Sequence, residues 1–255
     1  MIDLHTHVLP EVDDGARSLR ESVEIARSMA ADGVEKAAVT PHVRDDYPTS
    51  AGAMEAGLAR LRRALADDGI ALELLPGGEI DLHALTRLSP DERARFGLGG
   101  NPRLLLLEFP YYGWPLELAD TVFRLRVDGI TTVLAHPERN PDVQEAPGRL
   151  EPLVRAGAIV QLTAASVDGR LGQRPRATSK RLLELRLAHL IASDAHAPEV
   201  RGAGLSAAAA AAGDEALGRW LTRDVPAALV AGEALPDRPE GRGRLGWARR
   251  RRRGA

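Results

Sequence analysis

Residues 1–15 read MIDLHTHVLPEVDDG, and the way this stretch folds decides how the rest of the chain is read. Ile2 and Leu4 alternate with Asp3 and His5, which is the period of a strand. A strand over residues 2–6 puts the imidazoles of His5 and His7 on the same side of the backbone. Two acids, Asp13 and Asp14, follow before Gly15, a sequence that commonly makes a turn. The pair of histidines is therefore either one corner of a site or surface decoration, and the remaining chain decides between them.

A helix follows directly. Ser18 with Glu21 three residues on forms a capping box, Val23, Ala26, Met29 and Ala30 recur at helical spacing, and Gly33 marks the stop. VEKAAVTPH (34–42) then reads as a strand ended at Pro41, and a second helix spans about 50–68 with Gly69 as its stop. Short apolar runs follow at 70–79, 103–109, 130–136, 158–164 and 189–196, with helical patterns between most of them, including 115–128 and 178–187. Seven short, almost continuously apolar runs are strands covered on both faces. Alternation with helices implies parallel pairing, so the class is α/β, and a closed or distorted (β/α) barrel is the expected architecture. Neither G-x-G-x-x-G nor a P-loop follows any strand, which argues against nucleotide binding. Residues 204–235 read as closing helices, and GRGRLGWARRRRRGA (241–255) as a basic disordered tail.

The 255 residues are enough for one large core. Arg (32) far outnumbers Lys (2), a composition bias rather than a functional signal. A formal net charge of −2 gives no reason to expect nucleic acid or membrane as the main partner. The N-terminus carries Asp3 and His5 where a signal peptide needs a basic start and an apolar run, and no run reaches the ~18 apolar residues of a membrane span, so a soluble cytoplasmic protein is expected. The chain has no cysteine. That excludes disulfides, thiolate metal sites and a thiolate nucleophile, so any metal is held by imidazole and carboxylate.

In a parallel α/β barrel, chemistry gathers at the carboxyl ends of the strands. There the chain places His5 and His7, His42, Glu79, Glu108, His136, and finally Asp194 and His196, in strand order. Only the sixth strand departs, ending in Gln161, Thr163 and Ser166. Each residue alone has a plainer reading: a hydrogen-bonded histidine, or a carboxylate at a helix start. All of them at one rim is a different matter, because clustered buried charge repels itself unless cations neutralise it. His83 and His189 fall outside the pattern and are read as structural or surface residues.

MIDLHTH…DDG, TPH, GGE, LLLEF, AHPER and IASDAH, in that order, resemble the PHP (polymerase and histidinol phosphatase) superfamily. Within it they are most similar to the bacterial manganese-dependent protein-tyrosine phosphatases of capsule and exopolysaccharide loci. The resemblance covers about residues 1–205 and implies a distorted seven-stranded, TIM-like (β/α) barrel with three divalent ions, Mn2+ first and Fe or Zn as alternatives. It implies that His5, His7, Glu79 and Asp194 hold one ion. Glu79 bridges to a second with Glu108 and His136, and Asp14, His42 and His196 hold the third. Arg139 in HPER and Arg201 in SDAHAPEVR match phosphate-binding arginines of that family. Glu11 stands where relatives tend to carry a glycine or another residue.

The expected activity is hydrolysis of a phosphomonoester, with water activated by metal as nucleophile. The expected substrate is phosphotyrosine in a protein, with a bacterial tyrosine kinase of polysaccharide export as partner. A small-molecule phosphatase, such as one for histidinol phosphate, is the alternative of like chemistry. A non-catalytic regulatory module on the same fold is the alternative of another class. Residues 1–240 are expected to form one phosphatase domain. Arg139 has a plainer role in a pair with Glu138, and Tyr111, Tyr112 and Trp114 either stack on an aromatic substrate or cap the barrel.

Overall fold

A computed structural model describes residues 1–197 and 203–240. Among them are nine strands: β1 (Ile2–Thr6), β2 (Lys36–Val39), β3 (His42–Val43), β4 (Glu73–Leu75), β5 (Glu79–Ile80), β6 (Leu104–Glu108), β7 (Thr131–Ala135), β8 (Ile159–Thr163) and β9 (Leu190–Ala192). All pair in parallel, in a three-stranded sheet β1-β2-β4 and a six-stranded sheet β3-β5-β6-β7-β8-β9. The expected parallel α/β class is present.

Two of the seven apolar runs are broken in two. Proline has no N–H to give to a ladder, and Pro41 separates β2 from β3 while Pro76, Gly77 and Gly78 separate β4 from β5. Gly78 is required by packing: a Cβ there would lie 2.6 Å from the ring of Phe96. The chain thus steps from the first sheet into the second twice, returning once between β3 and β4. The first and last strands also meet. Thr6 and Ala195 form a parallel bridge, and Asp194 N donates to His5 O at 2.9 Å and His7 N to Ala195 O at 2.8 Å. Buried Asp3 ties the same two segments, accepting on Oδ1 from Ser193 N (3.0 Å) and His5 N (3.3 Å).

Helices cover the outside. Leu19–Ala31 turns Ile25, Ala26 and Met29 inward, and Ala51–Asp67 buries Met54, Leu58, Leu61 and Leu65. The capping box expected at Ser18 is only half formed. Ser18 accepts from Glu21 N, but the Glu21 carboxylate accepts from Arg17 N at 2.9 Å and from the Arg17 guanidinium instead of from Ser18 N. Arg17 offers the carboxylate both a backbone N–H and a charged guanidinium (3.3 Å), which together displace the single amide of Ser18. The reciprocal box forms instead at Ser89 and Glu92, where no basic side chain intervenes at residue 88. Strands β6 and β8 are buried along their whole length, as expected of strands covered on both faces. Residues 205–231 form the expected closing helices, Leu205–Ala211, Glu215–Arg219 and Val225–Ala231. The basic segment 241–255 and Arg201 lie outside the described residues.

His189 has the structural place expected of it. Its Nδ1 accepts from Val160 N at 3.1 Å, and burial together with the Arg238 charge lowers its pKa from 6.5 to about 4. The folded state therefore refuses a proton that the unfolded chain accepts. The resulting stability is complete above pH 6.5 and is lost as pH falls toward 4. By pH 5 the loss amounts to about 2 kcal/mol at 1.36 kcal/mol per unit. Urea unfolding of the chelated protein at pH 7 and pH 5 should show that His189→Gln falls less than wild type by about this amount. Equal falls would remove His189 from the acid response.

Candidate metal centre

β1 carries His5 inward, and His7 follows just beyond its end; both are fully buried. Their Nε2 atoms face each other at 3.1 Å. Glu79 Oε2 lies 3.4 Å from each Nε2, and Asp194 Oδ1 lies 3.5 Å from His5 Nε2 and 3.4 Å from His7 Nε2. On its other side Glu79 Oε1 is 2.9 Å from His136 Nε2. His42 bridges outward: its Nδ1 lies 2.9 Å from Glu79 Oε2 and 3.8 Å from Glu108 Oε2, while its Nε2 is 3.3 Å from Asp14 Oδ1. His196 Nε2 lies 3.3 Å from the same Asp14 oxygen.

All nine residues expected as ligands thus converge at one rim, in four groups whose ligand atoms lie within 4.8 Å of one another. These are His7, Asp14, His42 and His196; His5, Glu79 and His136; His5, His7 and Asp194; and His42, Glu79 and Glu108. The grouping differs from the expected one: His7 also joins the Asp14 group, Glu79 falls outside the His5–His7–Asp194 group, and the expected Glu79–Glu108–His136 set is divided, with His136 beside His5 and Glu108 beside His42. Two strand ends are turned to reach it, since His136 (φ 39°) and Asp194 (φ 53°) both take the left-handed conformation that a side chain disfavours. Such residues cost on the order of 1–3 kcal/mol each and persist where their surroundings enforce them.

The tautomers test whether this donor set suits cations. Gln161 Oε1 accepts from His136 N, so it is the amide oxygen that faces His5 Nδ1 at 3.0 Å, and His5 Nδ1 carries the hydrogen. Asp13 Oδ2 faces His7 Nδ1 at 2.7 Å, and Asp194 O faces His196 Nδ1 at 2.8 Å. In their neutral forms all three rings then direct an Nε2 lone pair at other acceptors. The lone pairs of His5 and His7 meet head-on, with two carboxylate oxygens beside them. Only positive charge relieves this. As protons, that charge raises the imidazoles: burial opposes it, but the carboxylates beside His42 push its pKa up to about 9. The same pairing pulls Asp14 far below the usual carboxylate range against the opposing effect of burial, through His196 and His42. Separations of 3.1–3.5 Å are also those between ligands placed about 2.0–2.2 Å from a common ion. Glu79 Oε2 and His42 Nδ1, although 2.9 Å apart, are not aligned as a hydrogen bond, and His136 Nδ1 is likewise buried without one. These side chains are suited to divalent cations.

The loop after β1 supplies more than Asp14. Asp13 shapes the turn as expected, accepting from Gly15 N, but it also orients His7 and accepts from His42 N at 3.0 Å. Sequence reasoning missed that role, as it missed Gln161 on His5. Gly15 lets the loop close: a Cβ there would fall 2.0 Å from His7 O and 2.6 Å from His7 Cβ. Backbone cannot yield as a flexible side chain does, so Gly15→Ala is expected to cost roughly 1–3 kcal/mol of stability and to displace His7 and Asp14 from the rim. Thermal unfolding read together with bound metal per chain checks this, and a variant unchanged in both would remove the constraint. Glu11 has φ 62°, the conformation in which glycine is favoured.

Arg139 sits at the edge of the cluster. Its partner is Asp194 (Nη1 to Oδ2, 2.7 Å), not Glu138, whose buried carboxylate accepts from Thr163 N. Arg139 lies over the Tyr111 ring (4.8 Å), and Tyr111 stacks on His136 (5.6 Å, 19°). Tyr112 points to solvent, 84% exposed, and Trp114 packs on Phe109 under Arg149. Of the three aromatic candidates, then, only Tyr111 reaches the centre. Tyr47 stacks on His42 (5.9 Å, 22°), an aromatic neighbour not foreseen. Beside Glu108 and Tyr111 opens a hollow of about 360 Å³ that Arg44 also lines. A larger hollow of about 710 Å³, lined by Met1, Ala209, Gly218 and Thr222 among others, has one carboxylate, Glu215, and no histidine.

Fold and site together define a class: parallel α/β proteins whose strand ends converge on a His/Asp/Glu centre suited to divalent cations. The chain belongs to the capsular polysaccharide synthesis family CpsB/CapC, whose model matches residues 1–223. It is 35% identical over 202 residues to the tyrosine-protein phosphatase YwqE of Bacillus subtilis, covering 79% of each chain. To the tyrosine-protein phosphatase CpsB of Streptococcus pneumoniae it is 27% identical, covering 77% of this chain and 83% of that one. A crystal structure from work on YwqE and CpsB, described as metal-dependent tyrosine phosphatases, superposes with a TM-score of 0.83 at 30% identity, over 96% of this chain and 100% of the other. Among the described residues no helix is long and apolar enough to cross a membrane.

Proposed function

We propose that this chain is a metal-dependent phosphatase that removes phosphate from tyrosine in proteins, its substrate being a bacterial tyrosine kinase of polysaccharide export, in the cytoplasm. The observation that carries the reading is the convergence of imidazole lone pairs and carboxylates at one rim. Membership of a family whose relatives are tyrosine-protein phosphatases supports the substrate class. The ligand sets follow the resemblance: His5, His7, Glu79 and Asp194 for one ion, Glu79, Glu108 and His136 for a second, and Asp14, His42 and His196 for the third. Mn2+ is the proposed metal, with Fe or Zn as alternatives. The strand order and the Thr6–Ala195 bridge favour a distorted seven-stranded barrel, and the continuous core from Ile2 to Leu229 favours one domain over residues 1–240.

Divalent ions bound here would supply activation of water and neutralisation of charge at phosphorus. The chain's own residues do the rest. Asp13 and Gln161 fix the ring orientation and tautomer of His7 and His5. Arg139, and by the resemblance Arg201, would present planar forks to the non-bridging phosphate oxygens. Tyr111, in contact with Arg139 and stacked on His136, would line the side along which an aromatic leaving group lies. A tyrosinate leaves with a solution pKa of about 10, so little acid assistance is required. With no cysteine in the chain, a thiolate mechanism is excluded for any substrate. The deciding experiment compares turnover of a phosphotyrosine peptide and histidinol phosphate in Mn2+. Preference for the peptide supports the proposal, and preference for the small alcohol phosphate replaces it with the alternative.

A further inference from the structure

Arg44 belongs to no motif that marks the site, yet it touches it. Lying two residues beyond His42, on the same side of an extended chain, it donates from Nη1 to Glu108 Oε1 at 2.7 Å. Its Nε lies 2.8 Å from Asp46 Oδ1, and its guanidinium carbon lies 5.2 Å from the centre of the Tyr47 ring. The side chain is only 21% exposed. Glu108 is thereby divided between two tasks: Oε1 is held by Arg44, while Oε2 is left toward His42 and Glu79.

We propose that Arg44 is a positioning residue for Glu108, fixing that carboxylate so that a single oxygen is presented to one divalent cation. The inference rests on the metal-site reading given above and deepens it. Three features favour positioning over a phosphate clamp. Arg44 is hydrogen-bonded to Glu108 through Nη1 and ion-paired, without a hydrogen bond, to Asp46 on its other side. Its plane is packed on Tyr47, which itself stacks on His42, so one unit sets the aim of two expected ligands. The hollow that Arg44 lines contains Asp46, Asp81 and Glu108 against its single positive charge, a poor receptacle for a phosphate dianion. Without Arg44 the carboxylate is free to rotate or to offer both oxygens, and its charge is no longer matched on the side facing solvent. Outer partners of ligating carboxylates typically govern metal affinity by about 10–100-fold.

The test is equilibrium dialysis of wild type, Arg44→Met and Arg44→Lys against graded Mn2+ buffers. Bound metal per chain is measured directly, and far-UV circular dichroism confirms that each variant is folded. The expected result is one ion of the set bound about 10–100-fold more weakly in Arg44→Met, the others retained, and Arg44→Lys in between. Lysine restores the charge but not the fork. Wild-type affinity in Arg44→Met overturns the proposal. So does an even loss across all ions, or an Arg44→Lys no better than Arg44→Met, since either reports a loosened rim rather than a misaimed Glu108. If Arg44→Met does not fold, Arg44→Lys against wild type decides: weaker binding of one ion alone supports the proposal, and wild-type affinity or an even loss overturns it. Wild type that binds no divalent metal overturns the metal-site reading itself, an outcome distinct from these.

Discussion

Glu79→Gln should leave a folded protein that has lost at least one bound metal per chain and at least about a thousandfold in hydrolysis of a phosphotyrosine peptide. The two oxygens of Glu79 meet four imidazoles. One oxygen lies 2.9 Å from His136, and the other lies 3.4 Å from both His5 and His7 and 2.9 Å from His42. Burial alone would raise its pKa, yet the imidazoles around it hold its carboxyl well below the usual range, so it is an anion at every working pH. Glutamine has the same shape and leaves no cavity. It puts an N–H2 donor where the cluster needs a second anionic oxygen, and a donor can satisfy an imidazole but cannot bind a cation. The loss of several kcal/mol of charge stabilisation at phosphorus corresponds to a thousandfold or more, at 1.36 kcal/mol per decade. Metal content by elemental analysis and steady-state turnover, each at saturating Mn2+, decide the matter. A variant with full metal content and turnover within tenfold of wild type would sink Glu79 as the central ligand.

The fold was legible because parallel strands covered on both faces write themselves as short apolar runs, and LLLLE (104–108) or IVQLT (159–163) can hardly be read otherwise. Eight of the nine converging residues were legible because strand ends collect at one rim whatever the details of pairing, whereas Asp14, in the loop after β1, came only from the family resemblance. Periodicity reports faces, however, not breaks. Pro41 was visible as a stop, but not the resumption of pairing at His42, which moves that residue into the second sheet beside Glu79. Partnerships across long separations were hidden for a related reason. Gln161 looked like the one strand end without a role, and it orients His5 from 156 positions away. Asp13 had a sufficient local explanation in the turn, which masked its hold on His7. Arg44 was unremarkable among 32 arginines, and only its contact with Glu108 distinguishes it. At Ser18 the local rule itself was sound but incomplete, because Arg17 supplied a stronger partner for Glu21 than the cap could.

Arg139→Met should lower kcat/KM for a phosphotyrosine peptide by about 10²–10³-fold, with a smaller change in bound metal, and Arg139→Lys should recover only part of the loss. The guanidinium sits at the edge of the cluster, with Nη1 on Asp194 Oδ2 at 2.7 Å and its carbon 4.8 Å from the centre of the Tyr111 ring, and the proposed phosphate over the cluster would meet it there. Burial would lower its pKa, but Asp194 and its neighbours keep it protonated. Its fork can hold Asp194 with one nitrogen while others face the substrate, and that division requires a planar, multivalent cation. Charge developing on phosphoryl oxygens during transfer is where an arginine has its largest effect, and removal of one well-placed donor costs about 10²–10³-fold. The contact with Asp194 raises a competing account, in which Arg139 merely steadies a ligand. The two accounts diverge in inhibition by inorganic phosphate. A phosphate-binding Arg139 makes the variant resistant in proportion to its lost turnover, whereas a steadying Arg139 leaves phosphate affinity unchanged per bound metal. Turnover that falls only as far as metal content falls, with phosphate inhibition intact, would reduce Arg139 to the second role.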